Sequence, residues 1–208
     1  MLTSCADLVG TGATDGVYTL DPDGVGSGQP EFDGWCDADG GWTLIESFSY
    51  GNNANTQAYG FSRNRPLNEA SPSNHALHRL SLTKIQALEA VSSESMATGN
   101  MDTSETLDFI RTPLANMKLT TASGTPFCAT STAGNIRGHG CVGCSVPWWQ
   151  NATQYHLVTD SMVSSCGGAR PWNTGASTSE DNFGYYGNVG PTFSCVSTVS
   201  STTSWWLR

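Results

Sequence analysis

The sequence predicts an α+β fold in which short strands and loops outnumber helices, and three observations support this prediction. Charged residues make up only 13% of the chain, while Gly, Ser, Thr and Asn are abundant, as is typical of loop-rich extracellular domains. Residues 32–49 contain two strand-like segments joined by an Asp/Gly turn. Residues 83–91 carry the one clear helical repeat. With 208 residues, the chain can bury a substantial core as one compact unit.

The first fifty residues predict a helix, a strand and a hairpin in that order. Ser4 is a good N-cap for a short helix that Gly10 ends. Residues 17–20 alternate as a strand does, and the turn at residues 21–24 has Pro and Gly where turns favour them. Residues 32–36 and 42–49 then form a hairpin, because the Asp and Gly residues between them supply turn conformations.

After residue 49 the sequence predicts a loop, one helix and several short strands. Residues 50–74 are rich in Asn, Gly, Ser and Pro and predict a long ordered loop. The helix over residues 83–91 has a capping-box pattern at Thr83 and Gln86 and an apolar face. That face comprises Leu82, Ile85, Leu88 and Val91. Residues 117–121, 155–159, 192–199 and the closing SWWLR are strand-like, whereas residues 101–111 fit either a strand or a short helix.

The net charge excludes two classes of partner. Nine Lys and Arg against eighteen Asp and Glu give 9 − 18 = −9, and no basic residue precedes Arg63. Nucleic acids and anionic membranes are bound by basic surfaces, so neither is an expected partner. The sequence has no apolar run long enough for a transmembrane helix, so membrane insertion is not expected either. An acidic surface is compatible with divalent cations.

The N-terminal motifs carry a resemblance to a known family. The segments SCADL, DGVYTLDPDG and WCDADGGWTLI occur in the order found in fibrinogen-related domains, the family that includes fibrinogen C-terminal domains, ficolins and, more distantly, intelectins. Cys5, Cys36, Gly40, Gly41 and Trp42 match its opening motif, whereas the second half lacks the family's usual motifs and indicates a divergent subgroup. The resemblance implies a single domain over residues 1–208, with an N-terminal subdomain at 1–49. A central mixed sheet and a loop-rich lobe would then occupy 50–208.

Seven cysteines predict an oxidised, secreted protein. The resemblance implies a Cys5–Cys36 disulfide. The other five are Cys128, Cys141, Cys144, Cys166 and Cys195, and we expect two bridges among them. The odd cysteine is either a buried free thiol or an intermolecular cross-link. Cys141 and Cys144, close to His139, could instead ligate zinc or act as a redox pair, but bridges to other cysteines are favoured. Asn151 begins a glycosylation sequon.

The strongest candidate for a metal site is the acidic segment SEDNFGYYG at residues 179–187. Glu180, Asp181 and Asn182 are adjacent oxygen-bearing residues, and with Asp160 they offer the ligands that Ca²⁺ prefers. The alternative is an Asx-rich turn. The resemblance strengthens the calcium prediction, since the lobe of fibrinogen-related domains commonly holds calcium and a ligand pocket.

Three pairs of adjacent aromatic residues predict a sugar-binding surface. They are Trp148-Trp149, Tyr185-Tyr186 and Trp205-Trp206. Neighbouring residues on a strand point to opposite faces, so one ring of each pair is expected in the core. We assign ligand binding to His139, Trp148, Tyr185 and Tyr186, and place Trp205 and Trp206 in the core. His75 and His78, which could ligate a metal from a helix, are interpreted as surface loop residues.

These features favour a binding protein over an enzyme. No nucleophile elbow, HExxH motif, phosphate loop or dinucleotide fingerprint occurs in the sequence. The sequence predicts a secreted, calcium-dependent, lectin-like module that binds a glycan or glycoprotein without catalysis. The alternative is a structural or adhesive subunit of an extracellular matrix, acting as a homo-oligomer or filament through protein contacts.

Overall fold

A computed structural model describes residues 1–56, 59–136, 139–153, 156–160, 166, 181–183 and 201–208. Within these ranges the regular structure is mostly strand, with one α-helix, α1 (Leu82–Val91), and two short 3-10 helices at Cys5–Leu8 and Tyr50–Asn55. The α+β prediction is therefore wrong, and the fold is predominantly β. The reason is that helical periodicity covers only ten residues, whereas strand pairing organises most other described segments.

The described strands form two sheets whose strand pairs are all antiparallel, so the predicted mixed sheet is also wrong. In chain order they are β1 (Gly16–Leu20), β2 (Phe32–Asp37), β3 (Trp42–Ser49), β4 (Leu77–Arg79), β5 (Glu94–Gly99), β6 (Phe109–Pro113), β7 (Gly124–Thr130), β8 (Ala133–Ile136), β9 (His139–Val142), β10 (Ser145–Gln150), β11 (Val158–Asp160), β12 (Asp181–Phe183) and β13 (Thr202–Leu207). The larger sheet has the order β1-β2-β3-β13-β5-β6-β8-β9, and β4 also pairs with β3. The smaller sheet has the order β12-β11-β10-β7.

The N-terminal region folds as the sequence predicts. Ser4 caps the first 3-10 helix by accepting a hydrogen bond from the Ala6 amide, and the Cys5–Cys36 disulfide is confirmed. Gly41, in the hairpin turn, has φ of +72°, and a Cβ there would lie 3.0 Å from the Cα of Ala6. Both constraints favour glycine, because a side chain would be strained in this conformation and would push the 3-10 helix off the hairpin.

The centre of the larger sheet is buried on both faces. Every residue of β3 is buried, and neighbouring positions on it contribute to two separate hydrophobic clusters. On β13, Trp205 packs into the main cluster and Trp206 into the smaller one, and each is 1% exposed. The prediction that both tryptophans belong to the core is confirmed.

The main cluster joins the two sheets and the helix. Trp148, on β10 of the smaller sheet, lies against Trp205 of the larger sheet with 5.8 Å between ring centroids. Ile85 and Leu88 of α1 are fully buried in the same cluster, whereas Val91 is exposed. The predicted apolar face of the helix is therefore only partly correct.

Other local predictions have mixed outcomes. The predicted capping box is wrong: the N-cap of α1 is Ser81, and the side chain of Asn64 accepts from the Leu82 amide at 3.0 Å. Residues 117–121 are irregular structure and turn, not a strand, because the chain turns after Lys118, whose carbonyl oxygen accepts from the Thr121 and Ala122 amides. The uncertain segment at 101–111 ends in strand β6, and the strand predicted at 155–159 overlaps β11 only at residues 158–159. The predicted strand at 192–199 lies outside the described residues.

Candidate functional site

A cluster of ionisable side chains lies inside the hydrophobic core. Glu46, Arg79 and His156 are each 0% exposed, and we call them the Glu46 cluster. Strand pairing positions the first two, since Glu46 on β3 is the direct partner of Arg79 on β4. Arg79 Nη1 lies 3.0 Å from Glu46 Oε2, and His156 Nε2 contacts the other carboxylate oxygen. One carboxylate therefore faces two basic groups.

Arg79 also holds a loop against the core. Its guanidinium donates to the carbonyl oxygens of Tyr59 at 2.8 Å, Gly60 at 2.8 Å and Arg63 at 3.1 Å. These are charge-assisted bonds, and the Gly60 carbonyl oxygen also accepts from the Arg63 amide at 3.0 Å within the loop. The loop at residues 59–63 is thus fastened to the interior through one side chain.

The electrostatics of the cluster favour an ionised carboxylate. Burial alone would raise the pKa of Glu46, but the positive charges of His156 and Arg79, with their hydrogen bonds, outweigh burial and lower it. Burial lowers the pKa of Arg79, and the neighbouring Glu46 carboxylate opposes that effect. Each group is therefore kept charged by its partner, which is the condition under which buried charges are tolerated.

Aromatic rings enclose the cluster. The His156 ring lies 5.1 Å from Phe61, 5.7 Å from Phe48 and 5.9 Å from Trp205, measured between centroids. A general acid or base must reach its substrate directly or through a water molecule, and these groups have no exposed surface. The arrangement suits a structural role instead, because Glu46 belongs to the larger sheet and His156 leads into β11 of the smaller one.

The predicted metal ligands fall on the smaller sheet. Strands β11 and β12 pair so that Asp160 is directly opposite Asp181, and the register shifts between Thr159 and Asp160. Asn182 also belongs to β12. The side chains of these three residues, and the whole of Glu180, lie outside the described part of the chain. The backbone nevertheless brings together two of the predicted acidic residues that are far apart in the sequence.

The predicted ligand-binding residues are not brought together in the described structure. The Trp148 ring is 1% exposed, so it fills the core and offers no face to a sugar. His139 lies on β9, in the other sheet from Asp160 and Asp181, and its side chain is outside the described part. Tyr185 and Tyr186 also lie outside the described residues.

The surface interpretation of the two neighbouring histidines is wrong for His78. It is 0% exposed on β4, its Nδ1 is 3.4 Å from the Asn68 carbonyl oxygen, and burial lowers its pKa. His75 is partly buried with its ring edge-on to Trp35 at 4.6 Å. Among the described side chains, no three His, Cys, Asp or Glu residues are grouped closely enough to hold a metal ion.

The described cysteines are all in disulfides. Cys128 pairs with Cys166, whereas Cys141 and Cys144 pair with each other and not with other cysteines as predicted. The reason is the short bend between β9 and β10, in which Gly143 adopts a φ of +63° and the two Cα atoms are 5.9 Å apart. Cys195 lies outside the described residues. Asn151, the sequon residue, follows β10 in a loop, where its Oδ1 accepts from the Thr153 amide.

The sequence did not predict the Glu46 cluster, although one feature of β3 indicates a buried charge. Glu46 is the only ionisable residue in WTLIESFS, a segment that is otherwise apolar or small. A carboxylate in the middle of a strand buried on both faces requires a basic partner. The sequence does not show that the partners are Arg79 and His156, because sheet pairing and sheet packing bring them there.

The fold and its cross-links define this chain as a predominantly antiparallel β protein with at least three disulfides. No protein-family model matches the chain, and no curated protein matches its sequence significantly. The fibrinogen-like assignment and the single domain over residues 1–208 therefore stay predictions drawn from the N-terminal motifs. No helix in the described ranges has the length and apolar character needed to cross a membrane. Disulfides of this number are typical of proteins from oxidising compartments.

Proposed function

We propose that the protein is a secreted, calcium-dependent, carbohydrate-binding module without catalytic activity. The register that sets Asp160 opposite Asp181 is the observation that carries the proposal. Like charges at directly opposite positions of an antiparallel pair destabilise the sheet, and a bound divalent cation removes that cost. Asn182 and Glu180 continue the same acidic segment and would complete an oxygen-rich set of ligands.

A sugar would bind beside the ion. Hydroxyl groups would coordinate the calcium, donate hydrogen bonds to the acidic residues and donate to or accept from the amide residue, while Tyr185 or Tyr186 would stack on the ring. The disulfide framework supports a secreted protein, and a glycan at Asn151 would agree with the same route. The proposed partner is a glycan or glycoprotein.

Titration calorimetry against a panel of free glycans, in calcium and then in excess chelator, tests this function. We expect at least one glycan to bind in calcium, and we expect binding to disappear in chelator and return when calcium is restored. Asp181→Asn should abolish binding, whereas Asp39→Asn, the same change at an exposed hairpin position, should leave it intact. Absence of binding in both conditions would exclude the proposal.

The same preparation distinguishes the structural or adhesive alternative. Non-reducing electrophoresis reports whether a cysteine cross-links two chains. A covalent dimer that disappears on substitution of one cysteine, together with no glycan binding, would favour a matrix or adhesion role. A monomer that binds a glycan would favour the lectin-like function.

A further inference from the structure

The loop at residues 21–31 forms a second candidate site, in the N-terminal region. It encloses a cleft of about 360 Å³, a volume within the range of small-molecule sites. The cleft is lined by Met1, Asp21, Gly24, Val25, Gly26, Ser27, Gly28, Gln29, Pro30 and Glu31. Two of these residues are acidic, and Lys, Arg and His are absent from the lining. The side chains that line the cleft therefore carry a net negative charge.

Asp21 is the feature that indicates a ligand. It is 6% exposed, and its backbone is fixed because its amide donates to the Leu2 carbonyl oxygen at 2.8 Å. Its carboxylate forms no hydrogen bond or ion pair within the described part of the chain. Asp21 lines the cleft, and its carboxylate oxygens keep contact with solvent, whereas the buried Glu46 carboxylate has two basic partners inside the protein. A partner for Asp21 would therefore have to be a ligand bound in the cleft.

The loop around the cleft is ordered by its own contacts. Asp23 Oδ2 accepts from the Gln29 amide at 2.7 Å, which closes the loop over residues 23–29. Gly28 has φ of +47°, and a Cβ there would lie 2.1 Å from Asp23 Oδ2, so a side chain cannot enter this space. Because Asp23 is already engaged, Asp21 and the exposed Glu31 are the carboxylates left for a ligand.

We propose that this cleft binds a primary ammonium group carried on a small apolar or hydroxylated body. The ammonium would pair with Asp21, and Ser27, Gln29 and the glycine backbone would supply hydrogen bonds. Val25 and Pro30 would contact the body of the ligand. A divalent cation suits the cleft less well, since no three carboxylates are grouped closely among the described side chains and part of the wall is apolar.

Two natural sources carry this chemistry, an amino sugar and a lysine side chain. Glucosamine represents the first and Nα-acetyl-lysine amide the second, and each is titrated into the isotope-labelled chain while amide shifts at Gly24, Gly26 and Gly28 are followed. N-acetylglucosamine is the matched neutral control, and calcium chloride is titrated separately. We expect one or both ammonium probes to bind and the neutral sugar not to bind.

Asp21→Asn should weaken ammonium binding about tenfold or more, because a charge-assisted bond is lost. Asp39→Asn, with the same change in charge outside the cleft, should bind like the parent chain. If Asp21→Asn does not fold, Glu31→Gln tests the proposal at an exposed lining position. We expect it to lower the affinity for the ammonium probe about twofold to fivefold, a small loss because solvent screens a surface charge. These variants leave Asp160 and Asp181 intact, so failure here is separable from failure of the proposed lectin function.

Four results would overturn the proposal: no shift with either ammonium probe at millimolar concentration, equal binding of N-acetylglucosamine, shifts with calcium alone, or unchanged affinity in the cleft variant used.

Discussion

Two buried carboxylates in this protein have opposite surroundings. Glu46 lies between the sheets with Arg79 and His156 against it, and aromatic rings exclude water. Asp21 is almost as buried, yet its carboxylate has no partner among the described residues and lies at an open cleft. Glu46 lost its hydration on folding and regained equivalent contacts from the protein itself, whereas the Asp21 carboxylate has only the solvent of the cleft.

The comparison separates structural charge from charge available for binding. A buried charge with all its partners inside the protein is a part of the architecture, and removing it damages the fold. A buried charge without an internal partner lowers stability, and proteins commonly retain such groups where they bind something. Substitutions at the two sites should therefore change stability in opposite directions.

The largest effect is expected at Glu46. Glu46→Gln should lower the free energy of unfolding by about 3–5 kcal/mol, because Arg79 is left as an uncompensated buried cation. Urea denaturation monitored by tryptophan fluorescence measures the change. Glu105→Gln is the matched control, since Glu105 Oε1 forms a partly exposed ion pair with Arg111 Nε at 3.0 Å, and its loss should cost about 0–1 kcal/mol. Equal losses in the two variants would contradict a structural role for the cluster.

The stability of the protein should also depend on pH through the Glu46 cluster. The folded protein holds the pKa of Glu46 below its ordinary value of 4.5, so in acid the unfolded chain binds more protons at this group than the folded chain does. Its stabilising contribution is full above about pH 5 and is lost as the pH falls through the folded pKa.

Denaturation midpoints measured from pH 7 to pH 3 test this expectation. Burial lowers the pKa of His75 and His78 below 6.5, so these groups also reduce stability as the pH falls, starting below that value. The contribution of His75 persists in Glu46→Gln, whereas that of His78 becomes larger, because the Glu46 carboxylate partly opposes the effect of burial on the His78 pKa. The difference between parent and variant should therefore shrink only below about pH 4.5. A difference independent of pH would show that folding leaves the pKa of Glu46 unchanged, which would contradict this expectation.

The smallest effect, with the opposite sign, is expected at Asp21. Asp21→Asn should raise the stability of the ligand-free protein by about 1 kcal/mol, because a neutral amide costs less to bury than an unpaired carboxylate. For a chain of this size that corresponds to a rise in Tm of about 2–4 °C. Asp39→Asn should leave Tm unchanged. A lower Tm for Asp21→Asn would mean that its carboxylate is structurally required.

Local patterns predicted the parts of the fold that depend on neighbouring residues. The Ser4 cap, β1, the hairpin of β2 and β3, and the tryptophans of β13 all follow from turn chemistry and alternation. The Cys5–Cys36 bridge followed from the family resemblance. What depends on distant contacts was not predicted. The side chain that accepts from the first amide of α1 is that of Asn64, which is distant in sequence. The partners of Glu46 are brought to it by strand pairing and sheet packing.

The candidate site likewise depends partly on local sequence and partly on contacts between distant residues. The acidic segment at residues 179–187 was visible in the sequence, but its pairing with Asp160 required the register of β11 and β12. Trp148 was assigned to a ligand surface because a strand has two faces. The smaller sheet turns that face towards Trp205, a contact between sheets that alternation cannot specify.

Strand β13 sets the order of events in folding. It lies between β3 and β5, and its Ser204 meets Ser47 across 157 residues of chain. During synthesis, β3 and β5 leave the ribosome long before the strand that separates them, so the larger sheet remains open until residue 207 has emerged. Contacts this distant in sequence slow folding, and refolding in the range of milliseconds to seconds is expected. Until then, the facing edges of β3 and β5 must avoid pairing with other chains, a period in which chaperones would matter most.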